Sequence, residues 1–251
     1  MNDRPVPAIA ADDVSRMFGG LFALKNVSFE LADRELHAVI GPNGAGKSTF
    51  VNVISGLLPP SSGRILLGGR DVTGTPAHRF AHLGVSRSFQ RTNIFKQLPV
   101  IENVRMAAQG VRMDWRRMFS TPAREKDLIE IAERAVERVG LAPHRDTISG
   151  ILSHGAQRQL EIAMTLAVDP RVILLDEPLA GMGQDESERM AGLMQDLAMD
   201  HAVLLIEHDM DFVFGVAHRI TVLVEGQILT TGTAEEIRAN QAVQTAYLGA
   251  H

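Results

Sequence analysis

Residues 41–48 read GPNGAGKS, between the apolar run LHAVI (36–40) and the helix-forming stretch KSTFVNVISGL (47–57). A glycine-rich turn joining a buried strand to a helix restricts the fold more than any other feature of this chain. The glycines let successive N–H groups curl inward around one concavity, and the first turn of the helix adds its unpaired amides and positive dipole end. Such a cradle binds anions, and the spacing G-x-x-x-x-G-K-[ST] fits the phosphates of a nucleoside triphosphate. The expected contacts are Asn43, Gly44, Ala45, Gly46, Lys47, Ser48 and Thr49. Lys47 should reach the β- and γ-phosphates, and the Ser48 hydroxyl should be a Mg²⁺ ligand.

The remaining pattern alternates between two periods. NVSFEL (26–31) and LHAVI predict strands around a polar turn at 32–35, followed by RILLGG (64–69) and VSRSF (85–89). PAHRFAHLG (76–84) fits a short helix with proline in its first turn. After residue 91 the strand signal stops. IENVRMAAQ (101–109) and REKDLIEIAERAVERVG (124–140) predict helices, the second with Leu128, Ile131, Ala132, Ala135 and Val139 on one face and Gly140 at its end. The stretch 110–122 between them is irregular and locally basic. From 156 the alternation resumes: AQRQLEIAMTLA (156–167) as helix, RVILL (171–175) as strand, ESERMAGLMQDLAM (186–199) as helix and AVLLI (202–206) as strand. DFVFGVA (211–217) reads as helix and RITVLV-EG-QILTTG (219–232) as a hairpin. Short apolar runs alternating with helices imply a mostly parallel sheet covered on both sides. The fold class expected is therefore α/β, one domain over 8–247. Residues 8–90 and 151–232 would form the core with an N-terminal antiparallel β part, 91–150 a helical subdomain, and 233–251 a helical tail.

One short stretch fits such a sheet poorly until the phosphates are considered. VILLDEP (172–178) runs four apolar residues into two adjacent acids, which disfavour strand and repel one another. In a fold with a phosphate loop, a second strand ends beside the triphosphate and supplies an acid to the magnesium. Asp176 is the candidate for the metal. Glu177 would then orient and deprotonate the water that attacks the γ-phosphate.

With these motifs in order, the sequence resembles the nucleotide-binding subunits of ABC transporters. GPNGAGKST and VILLDEP carry the resemblance, together with SFQ (88–90), ILSHGAQRQLEIA (151–163), LAGMG (179–183) and IEHD (206–209). It implies that two such domains pair head to tail, with each ATP held between the phosphate loop of one and the signature segment of the other. Carried over residue by residue, Gln90 would contact the Mg²⁺ and the attacking water, and His208 would bind the γ-phosphate. Ser153 and Gly155 would bond across the interface to the other site's γ-phosphate, and Phe18 would stack on adenine. VSRSFQRTNIFKQLPVIENV (85–104), DEPLAGM and RANQAVQTAYLGA (238–250) look most like ATPase subunits of branched-chain amino acid importers. That resemblance implies two membrane permeases, a second ATPase subunit (identical or paralogous) and, indirectly, a periplasmic solute-binding protein. It admits leucine, isoleucine, valine, urea or another amide, or a small carboxylate as the solute. Related subunits with a similar ending drive lipopolysaccharide export, and soluble non-transport members form the other alternative class.

Composition narrows these options. The 251 residues include no cysteine, which excludes disulfides, thiolate metal sites and cysteine nucleophiles. The net charge of −5 gives no basic field for duplex DNA, and Arg112, Arg116 and Arg117 read as a solvated face. No run of about 18 apolar residues occurs, so the chain is expected to sit peripherally on the cytoplasmic side of the inner membrane by docking to a spanning partner.

The signature departs from the common L-S-G-G-Q of the family, reading Leu152-Ser153-His154-Gly155-Ala156, and Gly183 stands where many relatives carry aspartate. Ser153 still suits an N-cap and Gly155 still allows close approach of phosphate. The altered positions are expected to loosen coupling between paired sites. ATPase rate measured against ATP concentration should give a Hill coefficient well below the number of sites, and a value near that number would contradict this expectation.

Overall fold

A computed structural model describes residues 5–88, 93–112 and 122–248. Two sheets organise them. The larger has six strands: β3 (Leu36–Ile40), β6 (Val85–Arg87), β7 (Val172–Asp176), β8 (Ala202–Ile206), β9 (Arg219–Val224) and β10 (Gln227–Gly232), in the order β10-β9-β3-β8-β7-β6. The pairs β6–β7, β7–β8, β8–β3 and β3–β9 are parallel, and only β10 runs antiparallel. The smaller sheet is antiparallel, β2-β1-β4-β5, from β1 (Ile9–Phe18), β2 (Leu21–Leu31), β4 (Ser62–Leu67) and β5 (Arg70–Asp71). The expected α/β fold with an N-terminal antiparallel part is the fold found.

Every residue of β3, β7 and β8 is buried. Alternate side chains enter two different cores, which is why these strands read as unbroken apolar runs. Ile40, Ile173, Leu175, Val203 and Leu205 join the core shared with the helices, whereas Val39, Leu174, Leu204 and Ile206 join the one shared with the smaller sheet. Helix α1 (Lys47–Ile54) packs into this second core through Phe50, Val51, Val53 and Ile54.

The helical part comprises α3 (Val100–Arg112), α4 (Pro122–Arg138) and α5 (His154–Leu166), and a four-residue helix α2 (Ala77–Phe80) precedes it. Leu128, Ala132, Ala135 and Val139 are buried as their spacing predicts, with Val136 added, and Ile131 is partly buried. Helix α6 (Gln184–Ala198) follows β7, and α7 (Met210–Val216), capped by Asp209, follows β8. The expected hairpin turns at Glu225 and Gly226, both at positive φ as a tight two-residue turn requires. The tail forms α8 (Ala234–Ala239), started by a reciprocal Thr233–Glu236 cap, and α9 (Gln241–Leu248).

The structure departs from the sequence reading at the N-terminus. Strand β2 begins at Leu21, not Asn26, and its partner β1 was not foreseen. Both strands are bulged. Asp13 and Asn26 lie in successive irregularities of the pair at φ 51° and 50°, and the Asn26 amide donates to Asp13 Oδ1 at 2.8 Å. The irregularity breaks the alternation on which strand reading depends.

One buried polar residue shapes the segment that precedes α3. Asn103 is fully buried; its Oδ1 accepts from the Phe95 N–H at 2.7 Å, and its amide faces the carbonyl oxygens of Phe95 and Pro99 and the Ser149 hydroxyl. Asn103→Ala leaves the Phe95 N–H without its acceptor and takes one partner each from the Phe95 and Pro99 carbonyls and the Ser149 hydroxyl. Urea unfolding should show a loss of about 1–3 kcal/mol, and an unchanged midpoint would contradict this role.

Candidate functional site

Strands β3, β7 and β8 end at one level. Val39 pairs with Ile206, and Ile206 with Asp176. The phosphate loop, the two acids and the IEHD segment therefore leave the sheet along the same edge, where open parallel sheets bind ligands.

The loop's glycines are sterically required at its two ends. A Cβ on Gly41 would lie 2.1 Å from the Leu223 carbonyl oxygen, and one on Gly46 would lie 2.6 Å from that of Ala23. Gly46, at φ 102°, is also the residue from which α1 starts. A cavity of about 650 Å³ opens over this loop. All seven expected residues from Asn43 to Thr49 line it, together with Leu21, Phe22, Ala23, Glu225, Gly226 and Glu177. Lys47 bends back over the loop, its Nζ donating to the Gly41 carbonyl at 2.6 Å and to that of Pro42 at 3.1 Å. Half-burial holds its ammonium below the usual lysine range, and the nearby Glu177 carboxylate acts the other way.

The neighbouring acids face different environments. Asp176 ends β7 and is 4% exposed, and its Oδ2 accepts from the Arg87 guanidinium at 2.8 Å. Arg87 also donates to Asn52 Oδ1 and Ser55 Oγ at the end of α1, so one guanidinium ties β6, β7 and the phosphate-loop helix together. Sequence reasoning passed over it. Glu177 makes the last rung of the ladder, its N–H donating to the Ile206 carbonyl at 2.9 Å, and then turns at φ 49°. A left-handed residue with a side chain costs about 1–2 kcal/mol; this turn lifts the carboxylate out of the strand's alternation, and it lines the cavity opposite Lys47.

Among the described residues no three His, Asp or Glu side chains converge as a metal cage. The Ser48 hydroxyl lines the cavity, whereas the Asp176 carboxylate lies outside its lining, beside Arg87 at the end of the neighbouring strand; both are hard oxygen donors. Mg²⁺ is usually held by one or two protein oxygens plus phosphates and water, so this donor set fits it.

Other predicted residues are placed apart from the cavity. Phe18 does not line it; the ring is 46% exposed with the Arg16 guanidinium 4.7 Å from its centroid, and Leu21 and Phe22 form the apolar wall instead. His208 is largely exposed. Asp209, not His208, caps α7, through its Oδ1 and the Phe212 N–H at 3.0 Å. Ser153 caps α5 as expected, accepting from the Ala156 N–H at 3.2 Å, and its hydroxyl donates to Glu186 Oε1 at 3.0 Å. Ser153 and Gly155 line a separate 310 Å³ cavity with Glu186 and Arg189. Gln90 lies outside the described residues, as do Arg116 and Arg117.

A second residue missed in the sequence is Glu207, 1% exposed at the end of β8. A signal was available, because AVLLIE repeats the pattern of VILLDE: an apolar strand that runs into an acid. The tail also reaches this edge. Burial pushes the Tyr247 phenol up to about 12, while the main chain of Gly41 beside it acts the other way.

With this geometry in hand, comparison with known proteins is specific. The ABC transporter family model matches residues 24–180, and that of the branched-chain amino acid ATP-binding cassette transporter matches 227–251. The chain is 40% identical to the high-affinity branched-chain amino acid transport ATP-binding protein LivG of Salmonella typhimurium, over 97% of this chain and 98% of that one. It is 37% identical to BraF of Pseudomonas aeruginosa, which carries the same description, with the same coverage. A crystal structure of the ADP conformation of an ATP-binding cassette of an ABC transporter superposes with a TM-score of 0.84 at 26% identity, covering 97% of this chain and 99% of that one. The phosphate loop, the paired acids and these matches along nearly the whole chain agree: the protein belongs to the ABC transporter family, as one of its ATP-binding, ATP-hydrolysing subunits.

Proposed function

We propose that this subunit powers uptake of branched-chain amino acids or a related small polar solute. It would act with a second ATPase subunit on two transmembrane permeases at the cytoplasmic face of the cell membrane, supplied by a periplasmic solute-binding protein. The observation that carries the chemistry is the cavity in which Lys47, Ser48 and Glu177 meet over one glycine-rich loop. The solute class is supported by the match of residues 227–251 and by the names of the relatives.

In this reading the amides of residues 43–49 take the triphosphate, and Lys47 exchanges the carbonyls of Gly41 and Pro42 for the β- and γ-phosphates. The base lies against Leu21 and Phe22. Bound Mg²⁺, held by Ser48 and Asp176, would neutralise phosphate charge. Glu177 accepts a proton from the water as its oxygen bonds to the γ-phosphorus; the bond to the β–γ bridging oxygen breaks, and ADP and inorganic phosphate leave. His208 and Gln90 hold the γ-phosphate and the water. Ser153 and Gly155 serve the partner's nucleotide, which accounts for their lying on a different cavity from Lys47 within one chain. ATP binding would draw two subunits together and rearrange the permeases, and hydrolysis would reopen the pair.

The permease would dock beside the segment 93–98. Phe95, Ile148 and Ile151 are exposed there, on a surface held by Asn103 and by the main-chain bonds from Ser149 to Leu98 and from Gly150 to Lys96. No helix among the described residues is long and apolar enough to cross a membrane.

Two variants of the purified subunit separate binding from chemistry. Glu177→Gln should bind ATP normally and hydrolyse it roughly 10²–10⁴-fold more slowly, the usual worth of a general base, or about 3–5 kcal/mol of barrier. Lys47→Ala should instead weaken nucleotide binding itself. Unchanged turnover in Glu177→Gln would refute the assignment of the base.

A further inference from the structure

Glu207 is a carboxylate enclosed almost completely at the ligand edge of the sheet, and the mechanism above does not use it. The alternation of β8 places it with Val203 and Leu205, toward the helical core. Enclosing a charged carboxylate is costly unless each oxygen is hydrogen-bonded. Both are. Oε1 accepts from the Leu179 N–H at 3.0 Å, and Oε2 from the His208 N–H at 3.1 Å. The His208 ring stands over the same carboxylate, Nδ1 lying 3.5 Å from Oε2. Burial pushes the carboxyl up from the usual range, and the surrounding main-chain N–H groups pull it back.

These contacts matter because of what they join. Leu179 is two residues beyond Glu177, on the short segment that leads into α6. His208 belongs to the segment that leaves β8. The last main-chain bond between the two is the one from Glu177 N–H to the Ile206 carbonyl. Beyond that rung, among the described residues, the Glu207 carboxylate is the hydrogen-bonded link between them. It touches no part of the nucleotide cavity.

We propose that Glu207 is a positioning residue that clips the segment after Glu177 to the segment carrying His208, so that both are presented to the γ-phosphate as one unit. The proposal rests on the roles given above to Glu177 and His208. A carboxylate that merely satisfied two strand-end amides would affect stability. One that positions the catalytic pair affects turnover in molecules that are folded and have nucleotide bound. Displacing a reacting group by about 1 Å can cost about 10²-fold, and residues that act as a unit are non-additive.

The test compares the full-length wild type with Glu207→Gln, His208→Ala and the double variant. It records kcat, KM, dissociation of a fluorescent ATP analogue and the unfolding temperature. Glu207→Gln keeps the volume but sets an NH₂ group against one of the two amide donors. Its kcat should fall roughly 10–100-fold, with nucleotide affinity within about threefold of wild type. In the His208→Ala background the same substitution should cost clearly less than it does alone, because one of the two groups it positions has gone. Full additivity would overturn the proposal, and so would a loss of kcat no larger than the loss of folded, nucleotide-binding protein. If Glu207→Gln does not fold, Glu207→Asp replaces it, retaining the charge one methylene short. Reduced kcat per folded molecule then supports the proposal, and wild-type turnover overturns it. Turnover lost in His208→Ala but retained in Glu207→Gln sinks the positioning role alone. Turnover retained in His208→Ala sinks the reading of His208 and the proposal with it.

Discussion

The structure depends on burial of three parallel strands from both sides. Apart from His37, which Thr221 partners within the sheet, the middles of β3, β7 and β8 carry only apolar side chains, so the chain's chemistry is displaced to the points where those strands stop. Their pairing fixes the stopping points at one level, and the glycine loop, Asp176–Glu177 and Glu207–His208 emerge side by side. The strained φ of Glu177 follows from the same constraint. In continued strand geometry its carboxylate would follow Ile173 and Leu175 toward the helical core. The left-handed turn aims it over the phosphate loop instead, at a cost the surrounding apolar packing easily offsets.

Much of this was legible in the sequence because it follows from short-range rules. GPNGAGKS and the apolar runs around it specify strand, loop and helix locally, and all seven predicted loop residues line the cavity. The buried face of α4 follows from spacing alone. What escaped depends on contacts between distant segments. Arg87 acquires its meaning only when β6 lies next to β7 and places it against Asp176, 89 residues away. Glu207 looked like part of a histidine motif until its oxygens could be seen to reach Leu179. The bulged β1 was hidden by adjacent aspartates at a shift in its register, where the Asn26 amide from β2 meets Asp13. Phe18 was chosen by position in the motif, whereas the hairpin presents Phe22 and Leu21 to the cavity.

Within one chain, the Lys47 cavity and the Ser153–Gly155 surface are lined by different residues altogether. The composite site proposed above, completed by a second copy or a paralogue, would account for both. The contact of Ser153 with Glu186 shows what such a partner would meet: a hydroxyl already engaged within its own subunit, beside an acid that a phosphate would repel. The departures at His154, Ala156 and Gly183 surround this contact, and in the proposed reading they would bear on how tightly two subunits are coupled more than on whether either can bind nucleotide.

The central claim is that two adjacent carboxylates divide the work at a bound triphosphate. A crystal structure with a non-hydrolysable ATP analogue and Mg²⁺ tests it most directly. Asp176 should face the metal from its place beside Arg87, and Glu177 should lie within about 3 Å of a water in line with the γ-phosphorus. Both side chains turned away from the terminal phosphoryl group would contradict it.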